Sequence, residues 1–216
     1  SPNNFELKRL RLLFEKSKER KKQGLFVIEG LREIEKAILG GYKIKTIFIQ
    51  KGSESSFSEI LKKLNSECIF CVEKSVFDRI SMRSGSEKII AIANTKIHTL
   101  EHLNHSNNDI VLVVEAPEKP GNIGALYRTA AAAKINSIII ANPKTDFYNP
   151  NSIRSSLGSI FLVPTAIAPS FKVITYLKNK FYKILTATVE PNALNYLKCS
   201  FKRPCAIIMG AESTGL

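Results

Sequence analysis

The sequence predicts two α/β domains, and two patterns carry that prediction. Along the 216 residues, short apolar runs of strand character alternate with stretches of helical periodicity. Such alternation marks β-α-β units and implies largely parallel sheets covered by helices on both sides. The pattern is interrupted by the polar stretch Ile97-His98-Thr99-Leu100-Glu101-His102-Leu103-Asn104-His105-Ser106-Asn107-Asn108. Domains are therefore expected at 1–97 and 109–216, joined by a linker at 98–108.

In the first half, strands are expected at 25–29, 46–49, 68–72 and 89–93, and helices over 5–20, 31–39, 57–64 and 76–80. Leu7, Leu10, Leu13 and Phe14 place an apolar stripe along the first helix. The rest of that segment is basic: Lys8, Arg9, Arg11, Lys16, Lys18, Arg20, Lys21 and Lys22, opposed from Lys8 onward only by Glu15 and Glu19. In the second half, strands are expected at 110–115, 137–141, 160–164, 184–188 and 206–209. Helix-like segments separate them, the clearest being Ala125-Leu126-Tyr127-Arg128-Thr129-Ala130-Ala131-Ala132-Ala133.

With 44% hydrophobic and 24% charged residues the chain has enough apolar material for a packed core, which argues against disorder. The 32 Lys and Arg outnumber the 19 Asp and Glu, leaving a net charge of +13. Such an excess suits a polyanion, nucleic acid before membrane, and Lys21 and Lys22 are the candidate phosphate contacts on the first helix. No run approaches the ~18 apolar residues of a membrane span. The expectation is a soluble, cytoplasmic protein without a membrane partner.

The 4 cysteines are too few for a disulfide framework. Cys68 and Cys71 fall in a strand-like run where an odd separation sends them to opposite faces, so they read as core thiols rather than a zinc or redox pair. His98, His102 and His105 share a polar stretch with no nearby thiol or clustered carboxylate, and no metal site is expected.

Three clusters carry chemistry. Pro117-Glu118-Lys119-Pro120-Gly121-Asn122-Ile123-Gly124 follows one strand and opens the alanine-rich helix, a glycine turn at a helix N-terminus suited to anions. Its spacing is neither a dinucleotide fingerprint nor a phosphate loop, which counts against a nucleotide-dependent α/β enzyme. Arg128 lies one turn into that helix, where an ion pair with Glu115 or Glu118 competes with a functional role. In the second cluster, Asn149-Pro150 starts a turn or helix and Arg154-Ser155-Ser156 sets a guanidinium beside hydroxyls, a combination for phosphate or sugar oxygens. The third, Met209-Gly210-Ala211-Glu212-Ser213-Thr214-Gly215-Leu216, is a strand opening into a small-residue turn with one carboxylate. All three follow strands and are expected on one sheet edge, where α/β proteins bind ligands.

In this order the clusters resemble the SpoU (TrmH-type) RNA 2′-O-ribose methyltransferases of the SPOUT superfamily. Asn122-x-Gly124-x-x-x-Arg128-Thr129-Ala130 is similar to the family's first motif, Arg154-Ser155-x-x-Gly158 with the run 160–164 to its central segment, and Met209-Gly210-Ala211-Glu212-x-x-Gly215-Leu216 to its second motif. The first half, with Phe26-Val27-Ile28-Glu29-Gly30, resembles the small ribosomal-protein-like α/β domain that precedes the catalytic domain in many members.

The resemblance implies methyl transfer from S-adenosylmethionine to a ribose 2′-hydroxyl of structured tRNA or rRNA. It implies a SPOUT domain with a C-terminal trefoil knot, in a homodimer. By position, Arg128, Asn122 and Glu212 would be catalytic; Gly210, Met209, Ala211 and Leu216 would hold the cofactor; Arg154, Ser155, Lys21 and Lys22 would contact RNA. Three departures stand out. Lys134 replaces the glycine usual after the first helix, and Ser213 follows Glu212 where glycine is common. The third motif, with Ser-Leu-Asn, is absent up to Leu216, so a further C-terminal segment is expected to complete the knot and adenine pocket. The alternative is a catalytically inactive RNA-binding protein that has lost the cofactor site.

Overall fold

The computed structural model describes residues 2–64, 69–82 and 87–216. They form two compact units, Ser1–Lys96 with Asp146–Leu162, and Ile97–Thr145 with Val163–Leu216. The second chemical cluster belongs to the first unit, and the polar stretch 97–108 to the second.

The first unit begins with two helices, α1 (Pro2–Glu15) and α2 (Ser17–Gln23), and continues through β1 (Leu25–Glu29), α3 (Leu31–Leu39), β2 (Ile44–Gln50), α4 (Ser58–Lys62), β3 (Ile69–Val72), α5 (Lys74–Ile80) and β4 (Ile89–Asn94). Its strand order is β1-β4-β2-β3. The β4 strand runs antiparallel to both β1 and β2, and only β2 and β3 are parallel. This sheet is mixed, where alternation alone predicts a parallel one: β4 enters between β1 and β2 against their direction.

Leu10 and Leu13 of α1 are buried with Leu25, Val27 and Phe48, as the apolar stripe predicts. Arg20, expected on the outer basic face, is instead buried. Its Nη1 donates to the carbonyls of Leu13 at 2.6 Å and Phe14 at 3.1 Å, and its Nε donates to Asp146 at 2.6 Å. Those carbonyls belong to the last turn of α1, which lacks intrahelical partners, so the guanidinium caps the helix and supplies charge of the favourable sign. Lys21 and Lys22 remain exposed. Cys71 is exposed rather than a core thiol, and Cys68 lies outside the described residues.

The segment Asp146–Leu162 contributes α7 (Pro150–Ser155), with Asn149 accepting the Asn151 N–H as its N-cap. Tyr148 stacks on Phe26 with centroids 4.3 Å apart, and Phe161 meets Tyr42 edge-on at 5.1 Å. The expected strand at 160–164 is not formed; Ser159–Phe161 is a 3₁₀ turn. Leu157 and Gly158 both take positive φ, 52° and 79°, and the hydroxyls of Ser156 and Ser159 bond to local carbonyls. These side chains satisfy the backbone within the turn and compete with strand pairing. At Gly158 a Cβ would meet the Lys36 side chain at 2.8 Å.

The second unit contains β5 (Ile110–Glu115), α6 (Pro120–Ala132), β6 (Ser137–Ala141), β7 (Thr165–Ala168), α8 (Ser170–Asn179), β8 (Lys183–Ala187) and β9 (Cys205–Met209). Its strand order is β7-β6-β5-β9-β8, with every pairing parallel. Val111, Val113, Ile139 and Ile208 pack with Val173 and Leu177 of α8. Ile123, Gly124, Tyr127 and Ala130 are the buried positions of α6, and the Tyr127 hydroxyl bonds to that of Thr165 at 2.7 Å. After α6, Lys134 has φ 53°: the position where the resembling family has glycine is a left-handed one, which glycine adopts most cheaply. Parallel strands bring the ends of β5, β6 and β9 to one edge, and the first and third chemical clusters follow β5 and β9 there.

Candidate active site

At that edge the loop after β5 meets the turn after β9. Asn122 Nδ2 donates to Glu212 Oε2 at 3.2 Å, and Lys119 Nζ donates to Glu212 Oε1 at 2.7 Å. One carboxylate therefore holds two residues of the first cluster. Its hydrogen bond, followed by its charge, raises the Lys119 pKa above the ordinary lysine value. Next to it Lys144 bonds to Glu118 at 2.5 Å, and that contact lowers the Glu118 pKa. Lys119 and Lys144 were not distinguished by the sequence pattern; only their position just beyond the ends of β5 and β6 singles them out.

Arg128 lies farther along α6. It is exposed, and among the described residues it makes no hydrogen bond or ion pair. The ion pairs weighed from sequence are both absent, because Glu118 pairs with Lys144 and Glu115 is held elsewhere. Glu115 accepts from Asn142 Nδ2 at 2.9 Å and from Ser170 Oγ at 2.5 Å. This trio ties the ends of β5 and β6 to the start of α8, and it was invisible in sequence because its members come from separate segments.

The turn after β9 is closed by two bonds, Ala211 N–H to the Gly215 carbonyl and the reverse, each 2.9 Å. Gly210 makes this closure possible: a Cβ there would lie 2.5 Å from the Gly215 carbonyl carbon and 2.7 Å from the Leu216 nitrogen. A cavity of about 540 Å³ opens beside the turn, lined by Ala211, Gly215, Leu216, Ile208, Asn142 and Ser170. A second, of about 350 Å³, lies between Asn122, Leu126, Met209, Gly210 and Glu212. An apolar wall, a backbone cradle without side chain and a few polar groups form the lining a nucleoside-sized ligand needs. The residues present thus fit an adenosyl cofactor.

Residues 109–216, which carry these loops, match the model of the SpoU rRNA methylase family. The chain belongs to the SpoU rRNA methylase family. Residues 4–91 match the MRM3-like substrate binding domain. This SpoU chain is 25% identical over 205 residues to the 23S rRNA (uridine(2479)-2′-O)-methyltransferase of Streptomyces viridochromogenes, covering 92% of this chain and 71% of that protein. It is 31% identical to a solved RNA 2′-O ribose methyltransferase, with a TM-score of 0.83 over 100% of this chain and 82% of that one. The AdoMet-bound rRNA methyltransferase of Sinorhizobium meliloti shares the fold, with a TM-score of 0.88 at 24% identity over 100% of this chain and 81% of that one.

In this SpoU member the second cluster belongs to the first unit. Arg154 is half-buried on α7 of the first unit. The Ser155 hydroxyl donates to the Asn151 carbonyl at 2.7 Å, which commits its proton to the helix. The histidines bond separately: His98 to the Thr165 carbonyl, His102 to the Thr99 hydroxyl and His105 to the Tyr182 hydroxyl. Among the described residues no helix is long and apolar enough to cross a membrane.

Proposed function

We propose that this protein transfers a methyl group from S-adenosylmethionine to a ribose 2′-hydroxyl of rRNA or tRNA. The observation that carries the reading is the meeting of Asn122 and Glu212 above a glycine-cradled turn, in a chain of the SpoU family. In this reading Gly210, Met209, Ala211 and Leu216 hold the cofactor. When bound, it supplies an electrophilic methyl on a sulfonium sulfur.

What the chain adds is alignment and charge. A ribose hydroxyl is a weak nucleophile, so rate comes from fixing it against the methyl and stabilising the charge that develops on its oxygen. Arg128, whose guanidinium is exposed, grips the ribose and its neighbouring phosphate and offsets that charge. Asn122, steadied by Glu212, orients the same sugar. Arg154, Ser155, Lys21 and Lys22 contact RNA phosphates and sugars; Ser155 accepts rather than donates, given its bond to Asn151.

The fold is a ribosomal-protein-like RNA-binding domain at 1–97, a joining stretch at 98–108 and, at 109–216, a methyltransferase domain of the trefoil-knotted SPOUT type. The working state is a homodimer in the cytoplasm. Ala125, Arg128, Thr129 and Ala132 leave a helix face of α6 exposed, the kind of small-residue surface against which a second helix packs closely.

The deciding experiment measures methyl transfer to ribosomal RNA. Arg128→Ala is expected to lower kcat about 10²–10³-fold while RNA affinity stays within about twofold of wild type. Wild-type activity in the variant would remove Arg128 from the mechanism, and absence of 2′-O-methylated product from the wild type would remove the reaction.

A further inference from the structure

The α8 helix buries Val173 and Leu177. At about 100° per residue, the opposite face carries Phe171, Thr175 and Lys178. Phe171 is 69% exposed, and Lys178, two turns on, shares its stripe. Just past the helix, Lys180 is exposed and Phe181 is 87% exposed. Between Asp146 and Glu190 the sequence contains no carboxylate side chain. The acidic neighbours of α8 are Glu101, near Lys172 and Tyr176, Asp109, near Tyr176, and Glu115, which accepts from Ser170 at the first position of the helix.

Phe181 is also in an unusual backbone state, with φ 58°. Its N–H bonds to the Lys178 carbonyl and that of Tyr182 to the Leu177 carbonyl, each at 3.0 Å, the arrangement that ends a helix through one left-handed residue. Glycine suits that position and a bulky aromatic opposes it. The turn sends Tyr182 into the core, 6% exposed, and Phe181 into solvent. A strained, exposed ring near lysines that make no ion pair among the described residues points to a binding role.

We propose that this face binds unpaired RNA, with Phe171 and Phe181 stacking on bases and Lys178 and Lys180 meeting phosphates. Exposed aromatics among cations are what single-stranded nucleic acid requires, because every base offers a π-face and every linkage a charge. A second copy of the same face would bring like charge and be repelled. An anionic membrane suits the cations, but the aliphatic side chains of α8 are turned inward and leave no wide apolar face for lipid.

The proposal rests on the reading of the chain as an RNA methyltransferase and extends it to a contact in the second unit. Fluorescence anisotropy of the full chain with labelled oligouridylate and with a labelled RNA duplex tests it. Phe171→Ala and Phe181→Gly are each expected to weaken oligouridylate binding about tenfold and to leave duplex binding unchanged. Phe181→Gly is also expected to raise the melting temperature, because glycine relieves the left-handed residue, so lost affinity there cannot be ascribed to unfolding. Replacing Lys178 and Lys180 by Gln should reduce the slope of log affinity against log salt by about 1.4. Unchanged oligouridylate binding in both phenylalanine variants overturns the proposal, as does loss of binding to phosphatidylserine vesicles with RNA binding intact. Failure of the wild type to bind any RNA overturns the methyltransferase reading as well, which separates the two failures.

Discussion

Asn122 and Glu212 are 90 positions apart in sequence, and the amide of the first donates to the carboxylate of the second across 3.2 Å. The pairing of β5 with β9 explains the meeting, because Val114 lies beside Met209 in parallel register and each strand then releases its loop at the same edge. Both side chains are exposed, so the contact contributes little to stability and its worth lies in orientation. Glu212→Gln and Asn122→Ala are each expected to lower kcat about 10²-fold with little change in melting temperature. A double variant no worse than either single one would show that the two act as a unit.

Gly210 tests the cofactor cradle separately. Alanine there would press a methyl against the Gly215 and Leu216 backbone, at 2.5–2.7 Å, and backbone cannot swing away as a side chain can. The two bonds closing the turn would have to part. Gly210→Ala should lose S-adenosylmethionine affinity at least tenfold by calorimetry, with an unchanged far-ultraviolet spectrum. Wild-type affinity would show that the turn does not touch the cofactor.

Arg20 and Asp146 form a buried pair, with side chains 3% and 10% exposed. Removing one partner leaves the other charge with its desolvation uncompensated, which costs about 3–5 kcal/mol. Arg20→Met is therefore expected to lower urea stability by about that amount, and Arg20→Met with Asp146→Leu to recover part of it. Loss of the carbonyl caps at Leu13 and Phe14 prevents full recovery. Equal destabilisation by the single and double variants would show that the caps, not the ion pair, dominate.

The same residues show what sequence can and cannot convey. The strands of the second unit are short apolar runs, and period alone finds β5, β6 and β9 and the loops beyond them. Periodicity also finds the Leu10 and Leu13 face. It fails at 160–164, where serine hydroxyls and two left-handed residues override an apolar run. It fails for Arg20, because burial of a cation depends on Asp146, 126 residues away. Strand direction in the first sheet is equally non-local, since an apolar run reads the same whichever way it pairs. Asn122, Glu212 and Gly210 were legible as motif members, whereas the Lys119 and Lys144 pairings and the Glu115, Asn142 and Ser170 trio depend on which loops the sheet edge brings together.

Tyr148 gives a pH dependence whose sign follows from its surroundings. Burial, then the neighbouring Tyr42, raises its pKa well above the usual tyrosine value. Its hydroxyl accepts the Lys96 N–H at 2.8 Å while its ring stacks on Phe26. A phenol whose folded pKa exceeds its unfolded value contributes stability that is complete below the unfolded pKa of about 10 and is lost as pH rises beyond it. Urea midpoints measured between pH 8 and 11 should fall on the alkaline side, with Tyr148 contributing up to about 1.4 kcal/mol per pH unit. Tyr148→Phe keeps the stacking and loses the hydroxyl, so it should start about 1 kcal/mol below wild type at pH 8. Lysine titration is common to both proteins and cancels in the comparison. The two curves should therefore converge above pH 10, and parallel curves would show that the Tyr148 phenol ionises as freely in the folded protein as in the unfolded chain.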